Sequence, residues 1–457
     1  MMAKCAAVIL AAGDSYRMKS AYPYVMLKLM SKPMIEWVVN SAKKSGVAET
    51  AVVVSNPNNM VAEFVKKSCE TVVQKEQLGT AHAVMQATDF IKKYEDGNIL
   101  ILNGDSPLMD AVTIRKALSE HMNHGNDVTV ISAKVDKPFG YGRIVRDGEG
   151  KFKGIVEERD AASEIKRIDE ISSGAYWFKA EVLLKSLDGI KPRSNGEYNL
   201  VDAVEWLCEN GYNADTSFAM SPDVVLGAND RIQLHQLNHI ARMKEIERHL
   251  EAGVDIPSFE GVLIDPDVEI GMDTTILPGT IIRGDVKIGR NCKIGPNSLI
   301  ENSTFGDNIV FNSSQCYNST VKSDATIGPF AHIRPNSVIG DSVHLGNFVE
   351  VKNSGIDTGT KVSHLTYVGD SDVGKHVNFG CGTVTVNYNG REKFRTRIKD
   401  DAFIGCNTNL VAPVTVGEGA YTAAGSTITE DVPDISLGIA RARQVNKIGW
   451  RIKKDIE

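Results

Sequence analysis

His364 lies between Val362 and Val368, two aliphatic residues six apart. If those two point into a core, the histidine emerges at a bend, free to meet a substrate. A side chain titrating near neutrality suits removal of a proton from an amine, although it could equally be a plain surface residue. Asp105, in LNGDSPL (102–108), stands just past an apolar run. There a carboxylate can hold a divalent cation against phosphates or simply cap a helix. LAAGDSYRM (10–18) also follows an apolar run and joins a glycine to Arg17. Backbone N–H groups and a fixed guanidinium are what a phosphate turn needs, yet glycine turns after strands are common. No GK[ST] follows and the GxGxxG spacing is missing, so neither standard nucleotide fingerprint applies.

Two kinds of element must position these residues. Up to about residue 225, short apolar runs alternate with amphipathic stretches. Cys5 to Leu10, Thr50 to Val54, Asn98 to Leu102 and Asp127 to Ser132 read as strands, and Met34 to Lys43 and Ala81 to Lys93 as helices. This is the pattern of βαβ units on a mainly parallel, Rossmann-like α/β sheet, whose ligands gather where strands end. Beyond residue 260 the period becomes six. Ile264, Ile270, Ile276, Ile282, Ile288, Ile294 and Ile300 step evenly, and the ladder resumes at Val321 and runs to Ile428. Neither a helix nor a simple strand repeats at six; a hexapeptide parallel β-helix does. Its step breaks between Phe379 and Ile398, around NYNGREKFRTR, which predicts a loop leaving the prism. Residues 229 to 252 predict a connecting helix, capped by Asn229 and ended by Gly253. The expected division is 1–228, a linker at 229–253, and 254–457.

Composition restricts the classes. The 457 residues include 42% apolar and 24% charged residues with a net charge of -7, which describes a folded chain without nucleic acid as its main partner. Seven dispersed cysteines without a CxxC pair fit reduced thiols and a cytosolic location. No signal peptide or membrane span is expected.

Further motifs complete the order: QKEQLGTAHAV (74–84), GYGRIV (140–145), GIVEE (154–158), GEYNLVD (196–202) and GANDR (227–231), followed by IRP (333–335), NFVEVK (347–352), SHLTYVGD (363–370), VNFGCG (377–382), VNYNG (386–390) and EKF (392–394). Nearly end to end, the chain resembles the bacterial GlmU family of bifunctional N-acetylglucosamine-1-phosphate uridyltransferases and glucosamine-1-phosphate acetyltransferases. The resemblance implies a nucleotidyltransferase domain followed by a left-handed β-helix. It implies UTP, N-acetylglucosamine 1-phosphate, glucosamine 1-phosphate and acetyl-CoA as substrates, Mg2+ as cofactor, and a homotrimer with the acetyl site between subunits. Asp105 and Asn229 then look like magnesium ligands, Gln74, Gly79 and Thr80 like uracil contacts, and Gly142 and Glu157 like sugar contacts. Leu10, Ala11, Ala12 and Gly13 would line the nucleotide pocket, with Arg17, Tyr24 and Ser172 nearby. In the second half His364 matches the base, and Arg334 and Lys352 resemble phosphate clamps. Tyr367, Asn378 and Lys393 complete the sugar pocket. Asn387 resembles the group that orients the reacting amine and acetyl, and the Tyr388 N–H the oxyanion donor. Cys381, Cys406, Ala424 and Arg441 map to coenzyme A contacts, with both thiols expected to be packed. Basic residues from Arg441 to Lys454 could meet its phosphates, and a solvated helix is their default.

The departures from the family pattern fall in the first half. Ser15 and Tyr16 occupy the glycine turn, Asn103 and Ser172 stand where the family often has Tyr and Asn, and PYVM puts Tyr24 where the family has lysine. A phenol carries no charge at neutral pH, so an impaired uridyltransferase half is expected, with Arg17, Lys19 or Lys28 as substitute cations. Ser15 also adds a Cβ where the backbone would crowd a phosphate. The alternative is a monofunctional acetyltransferase whose first domain is a scaffold or nucleotide sensor.

Overall fold

A computed structural model describes residues 4–13 and 15–450. The chain divides into two compact units between Ala241 and Arg242, inside the helix Arg231–Glu251.

The first unit is built on a nine-stranded sheet. Its strands are β1 (Cys5–Leu10), β2 (Glu49–Val54), β3 (Glu70–Val73), β4 (Asn98–Asn103), β5 (Val128–Lys134), β6 (Arg143–Arg146), β7 (Phe152–Val156), β8 (Glu170–Lys179) and β9 (Ala214–Phe218). The order is β9-β5-β8-β4-β1-β2-β3, with the β6–β7 hairpin joined to β8. Only β8 and that hairpin run antiparallel. Alternate residues of β1 enter opposite cores, Ala6, Val8 and Leu10 one, Ala7 and Ile9 the other. Burial on both faces is why this strand reads as an unbroken apolar run.

Observed bounds lie close to those read from sequence, with one exception. The single helix expected over Ala81 to Lys93 is two, Thr80–Gln86 and Thr88–Lys92. Thr88 Oγ1 donates to the Met85 carbonyl at 2.7 Å, a local bond that competes with the helical ladder at that point.

The second unit is a three-sided, left-handed parallel β-helix. Ile264 pairs with Ile282, Ile270 with Ile288 and Ile276 with Ile294, so each side repeats every eighteen residues. The ladder does not pause between Ile300 and Val321. Phe305, Phe311 and Cys316 fill its inner positions, and coils there shorten to sixteen residues, as in Ile300 with Cys316. Phe305 and Phe311 meet edge to face at 5.2 Å. The break after Phe379 is also narrower than expected, because Thr385 is fully buried and continues the ladder. The excess is confined to the loop between Val384–Val386 and Thr396–Ile398, which stretches the repeat from Val373 to Ile398 to twenty-five residues.

Coil corners use left-handed backbone, mostly at Asn and Asp, which tolerate it. Phe348 and Leu365 are bulky exceptions, at φ 58° and 37°. Two longer strands, β10 (His344–Lys352) and β11 (Lys361–Gly369), pair directly over one another.

The connecting helix is capped by Asp230, not Asn229. Asp230 Oδ1 accepts from the Gln233 N–H at 2.8 Å, while the Asn229 N–H donates to Gln233 Oε1 at 2.7 Å. At the far end Gly253 takes φ +86°. Its N–H reaches the Leu250 carbonyl and the Val254 N–H the His249 carbonyl, closing the helix in a Schellman pattern. The tail from Arg441 through Trp450 is irregular chain ending in a turn rather than helix. Arg451, Lys453 and Lys454 lie outside the described residues.

Candidate active sites

Two cavities open where β1 and β4 end, and they share Asp105 and Asn229. One, of about 200 Å³, is lined by Gly13, Arg17, Met18, Tyr24, Asp105, Ala228 and Asn229. The other, of about 170 Å³, is lined among others by Asn103, Gly142, Glu157, Ser172 and Tyr176. The loop carrying Asn229 is bound to the loop carrying Asp105, because the Ala228 N–H donates to the Asp105 carbonyl at 3.0 Å. Burial pushes the Asp105 carboxyl up to about 6, against hydrogen bonding and the charge of Arg17. Among the described residues no three His, Cys, Asp or Glu side chains gather to enclose a metal. The pair offers hard oxygen donors and leaves other positions to phosphates and water, a donor set that fits magnesium.

Tyr24 covers the glycine turn. A Cβ built on Gly13 would lie 3.2 Å from its ring edge and 3.3 Å from its hydroxyl. Tyr16 is 86% exposed, and the turn's residue Asp14, on which the Ser15 backbone angles depend, lies outside the described residues. Leu10, Ala11 and Ala12 are buried and line neither cavity. The Leu10 carbonyl accepts from Gly104 N–H and the Ala11 N–H donates to Val53.

Gln74, Gly79 and Thr80 come together but line neither cavity. The Gln74 amide donates to the Gly79 carbonyl at 3.2 Å and sits 3.0 Å from His82 Nδ1. Thr80 Oγ1 accepts from the Leu200 N–H at 2.9 Å. Gly79 must be glycine, with φ +101° and the Tyr198 carbonyl 2.4 Å from any added Cβ. Gln77, which the sequence reading passed over, ties this turn to the first by donating to the Ala12 carbonyl at 2.7 Å. On the other side, Gly142 has room for nothing larger, since Ile155 would stand 2.8 Å from its Cβ. Glu157 lies just beyond, its carboxyl raised by burial. Tyr141 was also missed; its hydroxyl accepts from the Gly227 N–H at 3.4 Å and its ring lines the second cavity.

In the β-helix, His364 is exposed at a corner, one coil from Asn347. Its Nδ1 is 3.2 Å from Asn347 Oδ1. With Asn347 Oδ1 as acceptor, the proton sits on Nδ1 and the lone pair on Nε2. Tyr367 follows on the same strand, and its hydroxyl accepts from Asn387 Nδ2 at 3.4 Å. Asn387 also donates to Asp370, as does Asn353. Burial would raise the Asp370 carboxyl, but those amides and the charges of Lys352 and Lys393 outweigh it and hold it low. Contact with Lys393 depresses the Lys352 ammonium, aided by burial and Arg334. Arg334 itself pairs with Glu350 at 2.8 Å. Three cations thus converge beside a charged carboxylate, an arrangement made for an anion. Asn378 is half-buried on the following coil, level with Lys361.

Tyr388 and Lys393 face each other across the protruding loop, where the flanking pairs make the bonds, Phe394 N–H to Asn387 and Asn389 N–H to Glu392. The Tyr388 N–H is therefore turned away from its partner strand. Cys381 and Cys406 are exposed, not packed. They stand at corners, while Phe379 and Ile404 take the inner positions. Ala424 follows one coil later, and Arg441 reaches within 3.8 Å of a Cβ built on Gly425.

Comparison with known families gives a match to the Nucleotidyl transferase model over residues 6–222 and to the Bacterial transferase hexapeptide (six repeats) model over 267–302, 318–353 and 395–430. A protein of Caldanaerobacter subterraneus named bifunctional protein GlmU is 49% identical over 99% of both chains. Proteins of the same name from Acetivibrio thermocellus, 46% identical over 98% of this chain and 97% of its own, and Clostridioides difficile, 44% over 98% of both, are similar throughout.

Proposed function

Since this chain belongs to the bifunctional GlmU family, we propose that its β-helix moves acetyl from acetyl-CoA to glucosamine 1-phosphate and that its first domain couples the product to UTP. It is an enzyme with acetyltransferase and uridyltransferase halves. No described helix is long and apolar enough to cross a membrane, and the cytosolic location is proposed on family resemblance and on the dispersed, free cysteines. The homotrimer is proposed on family resemblance.

One observation carries the acetyltransferase reading: Arg334, Lys352 and Lys393 meet beside the Asn387–Asp370 pair, and Lys352 lies on the strand paired with the one that bears His364. The cations would hold the sugar phosphate, with Asn378 closing the pocket. Nε2 of His364 takes a proton from the sugar ammonium, and the amine attacks the thioester carbon. Asn387, fixed by Asp370, orients the amine and acetyl, while the Tyr388 N–H faces the developing oxyanion. Coenzyme A leaves as the thiolate. Cys381, Cys406, Ala424 and Arg441 form the edge along which the coenzyme would lie.

In the first domain, the phosphate of N-acetylglucosamine 1-phosphate attacks the α-phosphorus of UTP in line and pyrophosphate leaves. Positioning and charge neutralisation then supply most of the rate. Asp105 and Asn229 would hold magnesium, which when bound neutralises phosphate charge where the two cavities join. Gly142 and Glu157 would take the sugar, and the turns bearing Gln74, Gly79 and Thr80 the uracil. With Tyr24 in place of a lysine, this half is impaired.

The test measures thiol release from acetyl-CoA with glucosamine 1-phosphate for the wild type and His364→Ala. The substitution is expected to lower turnover by about 10²- to 10⁴-fold while leaving pyrophosphate release unchanged. Equal acetyl transfer by both would remove the histidine from the reaction.

A further inference from the structure

One corner of the β-helix carries a column of unusual side chains. At this corner each coil takes left-handed backbone, at Phe348, Leu365, Gly382, Asn407 and Gly425. The residues just before these are Asn347, His364, Cys381, Cys406 and Ala424. Strand register stacks them in that order. Asn347 faces His364, Val362 with Phe379 carries His364 to Cys381, and Phe379 with Ile404 carries Cys381 to Cys406. The coils touch here. A Cβ on Gly380 would be 2.4 Å from the Cys406 nitrogen and 2.8 Å from its Cα, and the Asn407 N–H donates to the Cys381 carbonyl at 2.7 Å. Both cysteines are free and exposed.

Register neighbours on adjacent strands lie about 4.8 Å apart, inside the range of about 4.4 to 6.8 Å over which Cα atoms accept a disulfide. Both side chains are exposed at the same corner of successive coils. We propose that Cys381 and Cys406 form an oxidisable dithiol, converted by a hydroperoxide into a disulfide that bridges two coils beside the acetyl site. One thiolate attacks the peroxide, the O–O bond breaks, and water or an alcohol leaves a sulfenic acid behind. The second thiol attacks that sulfur, the S–S bond forms, and the S–O bond breaks with loss of water. The cysteines lose two electrons and two protons in total, and the peroxide is reduced. The bridge stiffens the column one coil from His364. Its effect on catalysis rests on the coenzyme reading of this edge; its formation does not.

The experiment treats the whole reduced chain with hydrogen peroxide, blocks remaining thiols and digests with trypsin. Cleavage after Lys375, Arg391, Lys399 and Arg441 puts the two cysteines on separate peptides. The expected product is those two peptides linked and lighter by two hydrogens, with loss of most acetyl transfer that dithiothreitol restores. Cys406→Ser, judged against its own reduced activity, should show no such reversible loss. Adducts on either cysteine without the link, or an equal reversible loss in Cys406→Ser, would overturn the proposal. Saturating acetyl-CoA should slow the linkage. A link forming as fast with the coenzyme as without it upholds the dithiol and overturns the placement of the coenzyme.

Discussion

Replacing Tyr24 with lysine tests the claim that the first domain lacks a cation. The ring covers Gly13 in the cavity shared with Arg17, Asp105 and Asn229, so an ammonium on a side chain of similar reach would stand among the phosphates. A unit charge about 4 Å from a phosphate oxygen, at an effective dielectric of about 20, is worth about 4 kcal/mol. Arg17 is exposed and already serves the same cavity, so the added stabilisation of the transition state should be about 2–3 kcal/mol, or about 30- to 150-fold in turnover. The assay is pyrophosphate release from UTP and N-acetylglucosamine 1-phosphate with magnesium, comparing wild type, Tyr24→Lys and Tyr24→Met. Acetyl transfer by the same preparations reports intact protein. Equal turnover by wild type and the lysine variant would refute the reasoning. Equal gains from methionine and lysine would assign the defect to the bulk of the ring instead of the missing charge.

Chelation by EDTA should abolish pyrophosphate release and leave acetyl transfer intact, measured in one preparation; acetyl transfer falling in parallel would contradict the assignment of the metal to Asp105 and Asn229. Burial, and then the neighbouring cations Lys179 and Arg248, lower His121 and His249 to about 4 from 6.5. The unfolded chain therefore binds more protons between these values, so stability is complete above pH 6.5 and declines toward pH 4, by about 3 kcal/mol at most for each histidine. Urea midpoints across that interval check this, and His121→Gln should flatten the profile of the first unit. Phe311→Ala, which empties a fully buried position against Phe305, should cost about 3–5 kcal/mol, read as a lower midpoint of the β-helix transition.

What sequence could tell followed from where side chains point. β1 was legible because both its faces are buried, and the prism because the evenly stepped isoleucines from Ile264 to Ile300 pack into its core, all buried except the half-buried Ile270. Phe305, Phe311, Cys316 and Thr385 escaped notice because an inner position demands volume and the right shape, not an aliphatic side chain. Coils shortened by a residue or two also hide the period. Asp230 caps the helix where Asn229 was expected, since either side chain suits that role and the geometry chose between them. The packed state expected of Cys381 and Cys406 failed because small residues fit a corner as well as a core. Residues that act by fixing another were out of reach. Gln77 serves Ala12 from 65 residues away and Asp370 serves Asn387 from 17, and nothing local records such pairings.

The lengthened coil has a consequence for how this fold can change. In a spiral, each turn answers only to the turns above and below it. The exposed tip from Asn389 to Glu392 can therefore grow or shrink without disturbing the inward residues at Thr385 and Ile398, provided Asn387, Tyr388 and Lys393 are kept. Closing a longer excursion adds entropy only logarithmically, about 0.6 kcal/mol for each doubling. Recognition groups and mechanical support are thus written in separable stretches of one turn. An exchanged tip of different length and charge, with Asn387, Tyr388 and Lys393 retained, should alter how the acceptor is held while the column beneath keeps its melting behaviour.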